Sequence, residues 1–177
     1  MPEKLSIEGV NRMGREEFVA RFGAVFEKSP WIAERAWENS PFKNLDGLYA
    51  AFVGTIDDAP EERRVALIRA HPDLAGKAAL AGELTEESAN EQASAGLDRL
   101  SPGEYERFHR LNAAYREKLG LPYVVCVRDH TKETIIAGAE RRLSNTREEE
   151  IGAALYEISR ISRLRLEDLV EPTEGRQ

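Results

Sequence analysis

Apolar residues along this chain recur at three- and four-residue spacing, and a single run reads differently. Phe18, Phe22, Val25 and Phe26 form one stripe; Leu45, Leu48, Tyr49, Phe52 and Val53 form another. That period is the helical one. The exception is Tyr123-Val124-Val125-Cys126-Val127, which follows Leu121-Pro122 and reads as extended. A strand needs partners, and no second run is present to pair with it. The pattern therefore predicts an all-α, single-domain bundle over residues 1–177. It should hold about seven to nine helices and one short extended segment near 123–127, threading through them.

Local chemistry sets the expected boundaries. Pro60-Glu61-Glu62 places proline and acids in a first turn, opening a helix that runs to about Ala70. Thr85-Glu86-Glu87-Ser88 opens another. Ser101-Pro102-Gly103-Glu104 is a capping box, and its helix should stop at Gly120. Thr131 to Ser144 and Thr146 to about Leu166 read as two more helices. Residues 1–13 and 171–177 are expected to be flexible.

Charge narrows the choice of partner. A net charge of −7 and a pI near 5.2 disfavour nucleic acid, whose binding rests on phosphate neutralisation by Lys and Arg. Mixed clusters such as Glu61-Glu62-Arg63-Arg64 and Glu140-Arg141-Arg142 read as solvated helix faces. The lone cysteine, Cys126, excludes an internal disulfide and suits a reducing compartment. No apolar run approaches the roughly 20 residues of a membrane span. Neither Met1-Pro2-Glu3-Lys4 nor the C-terminal Glu174-Gly175-Arg176-Gln177 resembles a targeting signal. The expectation is a cytoplasmic protein.

Most cofactor chemistry lacks a foothold. There is no Gly-x-Gly-x-x-Gly, no Walker loop and no Gly-x-Ser-x-Gly elbow. His71, His109 and His130 match no zinc spacing, so no metal site is expected. His109 and His130 read as surface or packing residues. His71 precedes Pro72, which pushes its backbone out of the α region. Pro72 and Asp73 read as the start of a new helix, so His71 either caps that helix or presents its imidazole to a pocket. Ser88, Glu91 and Gln92 share one helix face, either a polar site or a solvated surface. Ile151, Ala154, Leu155, Ile158 and Ile161 mark the buried stripe of the last helix, and Arg165 projects near its middle. An arginine there either pairs with a buried anion or snorkels out past the helix end.

These residues carry a family likeness. His71-Pro72-Asp73-Leu74-Ala75-Gly76-Lys77 resembles the signature of the OHCU decarboxylases, which act on 2-oxo-4-hydroxy-4-carboxy-5-ureidoimidazoline. Ser88-x-x-Glu91-Gln92 with Ala95-Gly96-Leu97, and Leu121-Pro122-Tyr123-Val124-Val125-Cys126-Val127-Arg128, resemble that family's second and third blocks. Ser29-Pro30-Trp31 and Leu164-Arg165-Leu166 agree with its flanks, so the likeness runs from about Phe18 to Leu169. It implies a helical homodimer that needs no metal or organic cofactor and yields (S)-allantoin in urate degradation. Carried over by position, His71 is the catalytic acid/base, Glu91 its carboxylate partner and Arg165 the substrate-binding arginine. Pro72, Ser88, Ala89, Asn90, Glu91, Gln92 and Tyr123, Val124, Val125, Cys126, Val127 line the ligand site. Tyr123 and Asn90 depart from the residues common in relatives.

One other class shares a motif. His71-Pro72-Asp73 is also the tripeptide by which J-domains engage a chaperone ATPase, in a non-enzymatic helical interaction module. A J-domain needs a basic helix before it, whereas Pro60 to Ala70 is mixed in charge.

Overall fold

Helices begin where the sequence supplies caps. The computed structural model describes residues 3–172. Nine α-helices of five or more residues appear among them: α1 (Ile7–Asn11), α2 (Arg15–Phe22), α3 (Trp31–Trp37), α4 (Leu45–Asp57), α5 (Glu61–Arg69), α7 (Glu86–Ser94), α8 (Pro102–Leu119), α9 (Lys132–Arg142) and α10 (Arg147–Leu169). The short α6 (Lys77–Leu80) and two 3-10 turns, Gly23–Val25 and Val127–Asp129, complete the order. No strand is present among the described residues, whose one β-bridge joins Leu5 to Val170. The chain is all-α, as the apolar period requires.

By packing, the chain divides into two compact units, Met1–Leu67 with Ser159–Gln177, and Ile68–Ile158. In the first, α2 packs on α3 and α3 on α4. Their core is aromatic: Phe18 lies 4.8 Å from Phe22, 5.8 Å from Phe42 and 6.0 Å from Phe52 by ring centroid. Such pairs add about 0.5–1.5 kcal/mol each beyond their buried area.

The segment 1–13, expected to be loose, is held in its described part. Ile7, Val10 and Met13 are buried. Leu5 N donates to Leu169 O at 2.8 Å, and Glu171 N donates to Leu5 O at 2.8 Å. Hydrophobic burial and paired backbone outweigh the terminal position. Residues 1, 2 and 173–177 lie outside the described residues.

In the second unit the capping signals act as read. Ser101 and Glu104 form a complete capping box at the start of α8. Gly120 ends that helix at φ 68°, a left-handed conformation that glycine adopts without steric cost. Leu97, Phe108, Tyr115, Leu119, Ile135 and Ile158 are among its buried residues.

The last two helices span Lys132–Arg142 and Arg147–Leu169, within three residues of the expected ends, and two other expectations fail outright. Pro72 opens no helix; residues 71–76 form a loop and α6 begins only at Lys77. Ala75 takes φ 52° there, which interrupts any helical path. The segment outside helices covers 122–126 only, with Cys126 extended at φ −75° and ψ 93°, because Val127 starts the 3-10 turn. Asp129 N donates to Cys126 O at 3.0 Å and His130 N to Val127 O at 3.1 Å, which closes that turn. Among the described residues no helix is long and apolar enough to cross a membrane.

Gly120→Ala should cost about 1 kcal/mol, because alanine must adopt the left-handed conformation. A urea denaturation midpoint reads the loss, with the exposed Gly103→Ala as control; equal midpoints would show that α8 does not need this cap.

Candidate active site around the His71 loop

The loop after α5 is tied to the neighbouring helices by side chains. Gln92 Oε1 accepts from Ala75 N at 3.0 Å. Asn112 Nδ2 donates to Leu74 O at 2.9 Å. Arg116 grips the Asp73 carboxylate, with Nε 3.1 Å from Oδ1 and 3.2 Å from Oδ2. Gln92 comes from α7; Asn112 and Arg116 come from one face of α8, four residues apart. Together they fix the turn on which His71 sits, and His71 is 7% exposed. His71 N donates to Ile68 O at 3.1 Å, closing the end of α5.

Helix α7 also packs against the 3-10 turn Val127–Asp129. The second block of the resemblance thus meets the third, while its Gln92 meets the first. Ser88 and Gln92 are the buried residues of α7, and Glu91 is half-buried. Ala89 and Asn90 are exposed, on the outer side of the same helix. Gln92, read as a ligand contact, has its carbonyl oxygen engaged by Ala75, so the fold itself uses it.

The extended segment is buried along its length: Tyr123, Val124, Val125, Cys126 and Val127 all lie in the core. Tyr123 OH donates to Ile135 O at 3.0 Å, and its ring stands edge-on to Tyr115 at 5.4 Å. The Tyr115 hydroxyl is itself buried with no hydrogen-bond partner among the described residues. Among those residues, the N–H groups of Val124, Val125, Cys126 and Val127 also find no acceptor. Buried backbone donors are nearly always paired in folded proteins, so this row is an unusual concentration of unused donors.

Cys126 is not a nucleophile. It is 1% exposed, and burial, reinforced by the neighbouring Asp129 carboxylate, pushes its thiol up to about 12. Only the thiolate reacts, and almost none forms near neutral pH.

The residue that sequence reasoning missed is Arg142. Read as part of a solvated cluster, it is instead 8% exposed, and Glu150 beneath it is fully buried. Arg142 Nε donates to Glu150 Oε2 at 3.2 Å, Nη2 reaches Glu150 Oε1, and Nη1 donates to Val124 O at 2.7 Å. Asn145 Nδ2 adds a bond to Glu150 Oε2 at 3.1 Å. Burial pushes the Glu150 carboxyl up, to about 8, and the guanidinium bonded to both its oxygens works against that. The signal was present: Ile135, Ala139 and Arg142 fall at i, i+4 and i+7, one helix face.

Arg165 lies in the first unit, on the buried stripe where the period put it. Its Nη2 donates to Glu27 Oε1 at 3.0 Å and its Nη1 to Val25 O at 3.2 Å. Both charges are almost fully buried. The same unit holds a groove of about 770 Å³ beside Trp31, Lys43 and Arg63, lined by none of the expected catalytic or substrate-binding residues. Among the described residues, no three His, Cys, Asp or Glu side chains are grouped to hold a metal ion.

The protein is all-helical, with a buried histidine on a loop fastened by α7 and α8, and α7 in turn packs against the 3-10 turn that follows residues 122–126. A family model described as OHCU decarboxylase matches residues 11–167. A protein of Halalkalicoccus jeotgali named 2-oxo-4-hydroxy-4-carboxy-5-ureidoimidazoline decarboxylase is 44% identical over 98% of this chain and 97% of its own. The mouse protein of the same name is 42% identical over 91% and 90%. The crystal structure of an (S)-allantoin synthase superposes with a TM-score of 0.76 at 25% identity, covering 94% of this chain and 54% of that one. A crystal structure of an OHCU decarboxylase in the presence of (S)-allantoin shares the fold, with a TM-score of 0.67 at 17% identity over 88% of this chain and 98% of that one. The chain belongs to the OHCU decarboxylase family. The J-domain-like alternative has no support from these matches.

Two outcomes follow from the site. Cys126 should resist iodoacetamide at pH 8 in the folded protein and react at once in denaturant; rapid labelling of folded protein would contradict its burial. Arg165→Met should destabilise the fold by about 3–5 kcal/mol by stranding the Glu27 charge. Adding Glu27→Gln to that variant should recover much of the loss in denaturant titrations, whereas additive losses would show that the two residues are uncoupled.

Proposed function

We propose that this chain is a cofactor-independent carboxy-lyase that converts 2-oxo-4-hydroxy-4-carboxy-5-ureidoimidazoline to (S)-allantoin in urate degradation. The observation that carries the mechanism is the buried His71 on a loop fastened at three points, beside the helix that bears Glu91.

The substrate's name fixes much of the chemistry. One ring carbon bears both the carboxylate and the hydroxyl, next to a ring C=N bond. When the bond to the carboxylate breaks, carbon dioxide leaves and its electron pair passes into that C=N. The ring nitrogen that receives the pair takes a proton; the hydroxyl then loses its own proton and becomes a ring carbonyl as the carbon bearing the ureido group takes a proton on one face. The substrate is its own electron sink, so the protein has to orient it and move protons.

Imidazole suits proton transfer near neutral pH, a contribution of about 10²–10⁴-fold. In this reading His71 is the acid/base, and Glu91 sets its tautomer and basicity. Ser88 and the amide nitrogen of Gln92 offer hydrogen bonds to the ureido group. The unused N–H groups of Val124 to Val127 suit ring carbonyls, and Pro72 forms part of the wall. The resemblance gives Arg165 the substrate's anionic group. Ala89 and Asn90, being exposed, fit a bordering role better than direct contact. The protein acts as a cytoplasmic homodimer.

The decisive assay generates the substrate from urate with the upstream enzymes and follows allantoin by circular dichroism. Optically active allantoin should form faster with this protein than without it; an identical time course would refute the assignment. His71→Asn should reduce turnover by about 10²-fold or more with the helical spectrum intact. Glu91→Gln keeps size but removes charge, so it should lower kcat far more than allantoin affinity and lower the His71 pKa in an NMR titration. An unmoved His71 titration would leave Glu91 as a ligand contact only.

A further inference from the structure

The extended segment 122–126 poses a structural problem that the helices around it do not solve. It has no strand beside it, so nothing holds its direction along a ladder. Among the described residues, a single side chain bonds to a backbone carbonyl within Tyr123–Val127: Arg142, at Val124 O. The same guanidinium lies over the Tyr123 ring, 4.8 Å from its centroid. It thus grips the segment at two successive residues. Glu150 fixes the guanidinium from behind through both of its oxygens, and Asn145 fixes Glu150.

This arrangement is more than a buried ion pair. Glu150 takes two of the guanidinium's donor directions, and the fork geometry then aims a third at the carbonyl. A lysine has no such geometry. The chain supplies the parts from the end of α9, the turn after it and the first turn of α10, so one short stretch builds the whole clamp. With Val124 O pinned, the peptide planes on either side are restrained, and so are the N–H groups of Val124 and Val125.

We propose that Arg142, clamped by Glu150, is a positioning residue for substrate binding: it holds the extended segment so that its free N–H groups stand ready for the ligand's carbonyls. This rests on the reading above that the segment lines the substrate site. Arg142 touches no substrate in this scheme. Its work is done before binding, by removing conformational freedom that binding would otherwise have to remove.

The test compares the wild type with Arg142→Met, Arg142→Lys and, as an exposed neighbour, Arg141→Met. Native amide hydrogen exchange at Val124 to Val127 should accelerate about tenfold or more in Arg142→Met while α8 amides keep their rates. KM should rise about tenfold or more, with kcat changed far less, because what is lost is a prepared binding surface. Arg142→Lys should fall between, and added methylguanidinium should lower the KM of Arg142→Met but not that of Arg142→Lys. Arg141→Met should match the wild type in every readout. Uniformly faster exchange throughout the chain, or an unchanged KM despite a loosened segment, would overturn the proposal. If Arg142→Met does not fold, Arg142→Lys alone carries the same comparison. If the wild type forms no allantoin, the functional reading falls first; exchange and titration with allantoin still decide whether Arg142 orders a ligand-binding segment.

Discussion

Extended backbone inside a helical protein has to be held one residue at a time. Sheets hold each other and helices hold themselves, but residues 122–126 have neither recourse. The bond from Arg142 to the Val124 carbonyl is the point on which this part of the molecule depends. It costs two buried charges, each expensive to take out of water unless matched. The match is close: Glu150 meets the guanidinium on two bonds, and Asn145 completes the carboxylate. A hydrophobic replacement of similar volume can hold a core together equally well, but it cannot aim a donor at a carbonyl. The charge pair is therefore explained by placement rather than by stability.

The same logic recurs at the His71 loop and at Arg165. The loop is not regular structure, and Arg165, itself on α10, reaches an irregular turn at Glu27. The loop is fixed by Gln92, Asn112 and Arg116, each side chain bonding a different residue of the turn. Arg165 is fixed by Glu27 and the Val25 carbonyl. In all three places a polar side chain on a rigid helix immobilises something irregular.

The helical class, the cap at Ser101 and the stop at Gly120 were legible in the sequence, because each rests on neighbours within four residues. The burial of Arg165 was legible too, from the phase of one long helix. What could not be read were contacts across distance. Nothing local says that Gln92 bonds Ala75, so its amide looked like a ligand contact. Pro72-Asp73 carried a helix-start signal, yet the loop bonds won and delayed the helix to Lys77. Arg142 sits among charges and reads as surface, although its spacing from Ile135 and Ala139 points inward. A charged residue is discounted on an apolar face until its partner is known, and Glu150 lies eight residues on. The His71, Glu91 and Arg165 roles came from resemblance, since no spacing rule joins residues so far apart.

Gln92 has one further property. A free carboxamide can turn over and present either its oxygen or its nitrogen to whatever approaches. This one cannot, because its oxygen is committed to the Ala75 amide at 3.0 Å. The end left over is the NH₂, which only donates. The backbone N–H groups of Val124 to Val127 likewise only donate. The Gln92 amide and these backbone groups are thus set as donors before any ligand arrives, and what a donor pairs with is a carbonyl or carboxylate oxygen.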